Sequence, residues 1–246
     1  MNWRISVIKL NTEYSEKMDE LYSLGGTSGG ARPKILTEID GEDWIIKFPT
    51  YVDERDAGMI EYQYLICAGK CGINMPQTRL FHSDKCQGYF GVKRFDRKKE
   101  NNETKKIHML TAAALLEIYF NQPCMDYNDL MKLTKILTNN NWDDIDNMYR
   151  RMCFNVYAHN RDDHAKNFTY IYDEENETWR LSPAYDLTYS NTYYGEHTTT
   201  VAGNGRNPGI KELTEVGVNA GLKKQYCEEV AGEIRGLVED MLNNYI

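Results

Sequence analysis

Between His159 and Asn167 the chain reads H-N-R-D-D-H-A-K-N, which crowds imidazoles, carboxylates, a lysine and asparagines into one short stretch. The apolar run Phe168–Tyr172 follows. L-S-P-A-Y-D-L, Leu181–Leu187, then adds one more carboxylate at Asp186. Such a set could perform phosphoryl transfer: an Asp orients a hydroxyl nucleophile, an Asn and a second Asp hold Mg²⁺, and little covalent work is left to the protein. Two other readings fit the same residues. One is a solvated acidic loop. The other is a metal site built from His159, Asp162, Asp163 and His164, since His and Asp both bind divalent metals. Those four are nearly consecutive, however, and no second His/Asp cluster completes a shell.

Chemistry of this kind needs elements to position it. Trp142–His159 reads as a helix whose stripe Ile145, Met148, Tyr149, Met152 and Val156 is core by default and which delivers the chain into the charged loop. Phe168–Tyr172 and Thr178–Leu181 read as a hairpin bounded by Glu174–Asn176, with Asp186 just beyond its end. Far upstream lies L-G-G-T-S-G-G-A-R-P-K-I, Leu24–Ile35. Its glycines, Gly29 and Gly30 among them, can expose backbone N–H groups in a phosphate-cradling nest, and Thr27 and Ser28 place hydroxyls at the tip. It matches neither common Gly-rich phosphate motif, and a flexible turn explains it equally well.

Ile35–Glu38 and Trp44–Phe48 then read as strands around a turn at Asp40-Gly41, the second carrying Lys47. Asp53–Cys71 is helical by its spacing of Met59, Ile60, Tyr64, Cys67 and Cys71, with Gly72 as its stop and Glu61 along it. A lone strand lysine usually snorkels to water. A Gly-rich hairpin, a strand lysine and a helix glutamate in that order are how a kinase holds its lysine on the nucleotide phosphates. Gln77–His82 and Gly88–Phe95 read as two further strands turned at Ser83-Asp84. The second ends in K-R-F-D-R, where a hinge could offer backbone groups to an adenine edge. The polar run Lys98–Lys106 reads as a solvated loop. Thr111–Phe120 and Tyr127–Thr138 read as helices. Tyr189–Pro208, with little periodicity, reads as a mobile segment. A closing helix carries the stripe Tyr226, Val230, Ile234, Leu237 and Met241. A short first strand at Trp3–Val7 and a helical stretch near Ser15–Tyr22 are expected at the start. No internal repeat is present.

Composition sets the outer bounds. The 246 residues suffice for one large domain or two lobes sharing a cleft. The 41% of hydrophobic residues is ordinary for a globular protein, and the 12% of aromatic residues argues against disorder. A net charge of −8 argues against non-specific nucleic-acid binding through a general positive field. No apolar run reaches the length of a membrane span, and the first residues lack a signal-peptide core. Six scattered cysteines without a C-x-x-C pair imply a reduced, cytoplasmic protein.

The motifs G-G-A-R-P-K (Gly29–Lys34), I-K-F-P (Ile46–Pro49), V-K-R-F-D-R (Val92–Arg97), D-D-H-A-K-N-F (Asp162–Phe168) and L-S-P-A-Y-D-L stand together in one order. As a set they resemble the HipA-like serine/threonine kinases, the toxins of bacterial toxin–antitoxin modules. The resemblance runs from about Gly25 to the C-terminus. It implies an α+β, two-lobed protein-kinase-like fold, with a small β-rich lobe over residues 1–96 and a mostly helical lobe over 97–246. It implies ATP and Mg²⁺ as cofactors. Asp162 would be the catalytic base or orienter, and Asn167 and Asp186 would hold Mg²⁺. Lys47, braced by Glu61, would contact the nucleotide phosphates, and main-chain groups around Lys93–Phe95 would meet the adenine. His164 would buttress the loop, Lys166 would neutralise charge on the transferring phosphate, and Asp163 would serve loop structure only.

In that family a hydroxyl on the Gly-rich loop is autophosphorylated, which ejects the loop and silences the enzyme. Thr27 and Ser28 are the candidates. About two dozen residues precede the loop, as in a shortened, split form whose N-terminal subdomain comes from a separate small HipS-like protein. The resemblance further implies a helix-turn-helix, HipB-like antitoxin through which DNA is met indirectly. It also implies a translation component as substrate, such as an aminoacyl-tRNA synthetase. Two rivals differ in class. A non-catalytic nucleotide- or partner-binding pseudokinase has no need to keep Lys47, Asp162, Asn167 and Asp186 together. A small-molecule phosphotransferase shares the Asp/Asn logic but would not arrest growth on expression.

Overall fold

The computed structural model describes residues 18–19, 33–49, 56–100, 103–118, 125–192 and 194–246. The expected strand at Trp3–Val7, the Gly-rich stretch with Thr27, Ser28, Gly29 and Gly30, and the start of the helix expected from Asp53 lie outside them. Of the stretch Ser15–Tyr22 only Met18 and Asp19 are described, and both are helical.

Strands β1 (Lys34–Ile39) and β2 (Glu42–Lys47) pair antiparallel, with Ile39 opposite Glu42 across a two-residue loop. Asp40 and Gly41 both have positive φ there, 55° and 79°, the backbone that a tight hairpin needs and that Asp-Gly supplies cheaply. Helix α1 (Ala57–Lys70) follows, then β3 (Thr78–Phe81) and β4 (Tyr89–Lys93). The four strands form one sheet in the order β1-β2-β4-β3. Alternation divides its faces. Trp44, Ile46, Phe81 and Tyr89 are buried in a small core with Met18, Ile39 and Phe48. Ile45, Lys47, Phe90 and Val92 line a cleft on the other side, paired across the strands as Ile45 with Val92 and Lys47 with Phe90. Gly91 keeps the small core closed, because a Cβ there would stand 2.4 Å from the Phe81 ring.

Helix α1 belongs to the larger core. Tyr64, Leu65, Cys67 and Ala68 are buried with the helices of the C-terminal half. The Tyr64 hydroxyl donates to the Ala158 carbonyl at 2.9 Å, and Cys67 Sγ lies 3.7 Å from the Leu237 carbonyl. The helix that carries Glu61 is thus held by the helical body while it lies under the sheet.

The run Lys98–Lys106, expected as a loop, is an exposed hairpin of β5 (Arg97–Glu100) and β6 (Glu103–Lys106). Its pairing is backbone to backbone with almost no buried side chain, so no hydrophobic alternation announces it. Thr111–Phe120, expected as a helix, instead begins as strand β7 (Met109–Thr111), and among its described residues, 111–118, only Ala112–Leu115 are helical, as α2. β7 pairs antiparallel with β9 (Thr169–Asp173), which takes Thr111 into the sheet and leaves the alanines after it helical. β9 pairs in turn with β10 (Thr178–Leu181), forming the expected hairpin with β7 as a third strand.

Helix α3 (Tyr127–Leu137) starts at a capping box of Asp126 and Asp129, and α4 (Trp142–Tyr157) is capped by Asn141. Ile145, Met148, Tyr149, Met152 and Val156 of α4 are buried as their spacing predicts. The stretch expected to be mobile, Tyr189–Pro208, is pinned. Ser190 bridges Asn160, and Thr199–Thr200 forms a short parallel pair with Met125–Asp126. Helix α5 (Ile210–Asn219), not expected from the sequence, precedes α6 (Lys224–Leu242), whose Val230, Ile234 and Val238 are buried. The five described cysteines are free. No helix among the described residues is long and apolar enough to cross a membrane.

Candidate active site

A cleft of about 280 Å³ lies between the four-stranded sheet and the helical body. Its sheet side is Ile45, Lys47, Phe90 and Val92; Glu61 and Leu65 come from α1, Lys93–Asp96 from the end of β4, and Met109, Tyr185 and Asp186 from the opposite side. Apolar walls with a few convergent charged groups suit a flat heterocycle bearing an anionic tail.

Lys47 is the charged centre of this cleft. Its Nζ lies 2.6 Å from Glu61 Oε1, bonds Asp186 Oδ1, and stands 5.7 Å from the centre of the Phe90 ring. Burial works against the ammonium, but Glu61 and Asp186 outweigh it and hold Lys47 well above the usual lysine range. Asp186 mirrors it: burial would raise its carboxyl, but Lys47 dominates and holds it below the usual carboxylate range. Asp186 has φ 53°, uncommon for a residue with a side chain, so the backbone turns sharply where its carboxylate enters the cleft. Arg151, 2% exposed, donates to the Ser182 carbonyl, and Ala184 N–H donates to the Asn74 carbonyl, which fixes the segment leading to Asp186.

At the end of β4, Lys93 N–H and Arg94 N–H donate to the carbonyls of Gln77 and Asp43, and the Asp96 carbonyl accepts from Ile107 and Arg97. Among the described residues the Phe95 main chain has no hydrogen-bond partner. The Phe95 ring lies 5.8 Å from that of Tyr185. The Lys93 side chain pairs with Glu42 at 2.9 Å.

The loop Asn160–Asn167 presents Asp162 with its side chain 59% exposed. Partial burial, with the nearby charges of Asp163 and Asp186, lifts its carboxyl above the usual range, while His164, 3.8 Å away, pulls the other way. Asn167 Nδ2 donates to the Asp162 carbonyl at 2.8 Å, which leaves the Asn167 amide oxygen available. The Lys166 carbonyl accepts from the Tyr185 hydroxyl at 2.6 Å, tying the loop to the residue beside Asp186. Lys47, Glu61, Lys93, Phe95 and Asp186 therefore meet in one cleft. Asp162, His164, Lys166 and Asn167 share one loop, joined to it through Tyr185.

Asp163, expected to serve only loop structure, is 1% exposed and highly connected. Its Oδ2 accepts from the Tyr127 hydroxyl at 2.8 Å and lies 3.0 Å from His197 Nδ1, and its Oδ1 accepts from Thr199 N–H at 3.1 Å. Nothing in the sequence marks Tyr127 or His197 as its partners. The four-residue metal site is not formed: among the described residues no group of three or more His, Cys, Asp or Glu side chains is arranged to hold a metal.

The fold is that of kinase-like proteins. The structure aligns with HipA from the Shewanella oneidensis complex of HipA, HipB and operator DNA, with a TM-score of 0.71 and 16% identity over 89% of this chain and 58% of that one. It aligns with the Helicobacter pylori proinflammatory kinase CtkA at a TM-score of 0.53 and 10% identity, over 90% and 91% of the two chains. In sequence, residues 26–242 match the HipA-like C-terminal domain, and the chain belongs to that family. The Sinorhizobium fredii protein Y4dM, provisionally named a kinase, is 26% identical over an alignment of 182 positions that covers 68% of this chain and 42% of Y4dM. The chain thus spans about half the length of the HipA and Y4dM proteins it matches.

Proposed function

We propose that this protein is an Mg²⁺- and ATP-dependent serine/threonine protein kinase, reduced and cytoplasmic, acting as the toxin of a toxin–antitoxin pair. The observation that carries the reading is the joining of Lys47, Glu61 and Asp186 in one apolar-walled cleft beside the loop that presents Asp162. The lobe boundary falls at Asp96/Arg97, with the adenine edge meeting the main chain of Phe95.

The donor set fits the cofactors. Lys47 offers a fixed ammonium to phosphate oxygens. Asn167 and Asp186 offer the neutral and anionic oxygens that Mg²⁺ prefers, and Mg²⁺ commonly takes only one or two protein ligands beside water and phosphate. When bound, the metal neutralises charge on the phosphates. Asp162 accepts the proton of the acceptor hydroxyl and orients it. Lys166 offsets charge on the phosphoryl group, and His164 steadies Asp162. Thr27 or Ser28 receives the silencing phosphate, with Gly29 and Gly30 in the phosphate cradle. Shewanella HipA is seen with HipB and operator DNA, which supports a HipB-like helix-turn-helix partner. A small HipS-like protein is a second partner, and the substrate is a translation component such as an aminoacyl-tRNA synthetase.

Intact-protein mass before and after incubation with Mg-ATP, wild type beside Asp162→Ala, tests the reading. Added phosphate in the wild type alone, mapped to Thr27 or Ser28, is the expected result. A wild type that starts unphosphorylated, gains nothing and transfers nothing to bacterial lysate proteins would overturn it.

A further inference from the structure

We propose that Asp163 is a positioning residue that locks the loop bearing Asp162 to the segment following Asp186, so that the two sides of the site move as one body; this rests on the kinase reading above. Asp162 lies between two buried polar residues. Asn160 is 2% exposed and Asp163 1% exposed. Both ends run into one hydrogen-bonded chain: Asn160 Nδ2 donates to Asn155 Oδ1 at 2.9 Å, Asn155 Nδ2 to the Tyr127 hydroxyl at 2.8 Å, and that hydroxyl to Asp163 Oδ2 at 2.8 Å. Helices α3 and α4 therefore grip both flanks of the Arg161-Asp162 pair.

The other half of the lock comes from beyond Asp186. Besides the His197 and Thr199 N–H contacts, the Thr199 hydroxyl donates to the Asp163 carbonyl at 2.5 Å. Thr198 donates twice to the Arg161 carbonyl, from N–H and hydroxyl, each at 3.0 Å. Ser190 N–H donates to the His159 carbonyl at 3.1 Å. Segment 190–199 is thus bound to the loop at His159, Arg161 and Asp163. A carboxylate sealed in the interior is costly unless both its oxygens are hydrogen-bonded. Asp163 meets that condition only while α3, the loop and segment 197–199 stand in register. Its neighbour Asp162, chemically the same side chain, is left exposed on the loop.

Two variants and a control separate positioning from simple stability. Asp163→Asn replaces an acceptor oxygen with an amide where Tyr127 and His197 approach. Tyr127→Phe removes only the hydroxyl. Tyr149→Phe removes an equally buried hydroxyl, bonded to the Cys227 carbonyl and away from the loop. Phosphotransfer kinetics, ATP affinity by calorimetry and amide hydrogen exchange are measured for each. Asp163→Asn should lose about 100-fold in kcat with ATP affinity unchanged, the usual scale for a misplaced reacting group. Exchange should quicken together in 160–167 and 197–200. Tyr127→Phe should show the same pattern more weakly, and Tyr149→Phe neither effect. Equal effects of the two Tyr variants, uniform loosening with lost ATP affinity, or wild-type behaviour of Asp163→Asn would each overturn the proposal. If the wild type transfers no phosphate, the kinase reading fails and the exchange pattern alone decides the lock.

Discussion

Lys47 lines the cleft and Asp162 stands on the loop beside it, and the protein holds them by different means. Lys47 stands on a sheet with a small core of its own and is aimed by charge, through Glu61 beneath it and Asp186 across the cleft. Asp162 carries little of its own restraint; its neighbours Asn160 and Asp163 are sunk into the helical body and hydrogen-bonded there. A charge tether inside a cleft can share its ammonium with an incoming anion without disturbing any core. A buried network cannot be redirected without breaking the register of three elements. The sheet side is therefore built to respond to a ligand, and the loop side to stay still.

This contrast can be broken at several points. The largest effect is expected from Asp162→Asn, which should lower phosphotransfer by about 10²–10⁴-fold, the usual worth of a positioned acid–base group. ATP affinity by calorimetry should not change, because this carboxylate serves the acceptor. Lys47→Met should weaken ATP binding by about 10–100-fold, corresponding to about 1.5–3 kcal/mol for hydrogen bonds to a charged group. It should also lower Tm, since Glu61, with its side chain 4% exposed, loses its Lys47 partner.

The pH dependence sharpens the comparison. Asp186 is depressed below its reference value of 3.8, so its contribution to stability is full above that value and is lost as pH falls through the lower folded value. Lys47 is raised above 10.5, so its contribution is full below that value and is lost only as pH rises through the higher folded value. The Tm gap between wild type and Lys47→Met should therefore be flat through neutral pH and narrow at both extremes. Asp162 shifts the opposite way from Asp186. The acid limb of kcat should lie above 3.8 and should vanish in Asp162→Asn. The smallest effect is expected at the β5–β6 hairpin. Lys98→Ala and Lys105→Ala break ion pairs with Glu100, Glu175 and Glu174 that are open to water, and should leave Tm and turnover unchanged.

Much of the arrangement follows from the linear chain. Strict alternation over Trp44–Lys47 decides that Trp44 and Ile46 go to one face and Ile45 and Lys47 to the other. The Asp-Gly turn sets the hairpin register, the apolar stripe of α4 identifies the helix that enters the loop, and the motif order places Asp186 just past a hairpin. These are local rules, with the period of a strand or helix and the backbone freedom of a turn as their cause. Backbone pairing without a buried face leaves no such trace, so the Arg97–Lys106 hairpin is invisible, and β7 is hidden because its partner lies about sixty residues away. The division of labour between Asp162 and Asp163 is the clearest case. Two adjacent, identical side chains carry the same local information. Only the packing of α3 and of segment 197–199, brought from opposite directions along the chain, buries one and leaves the other exposed.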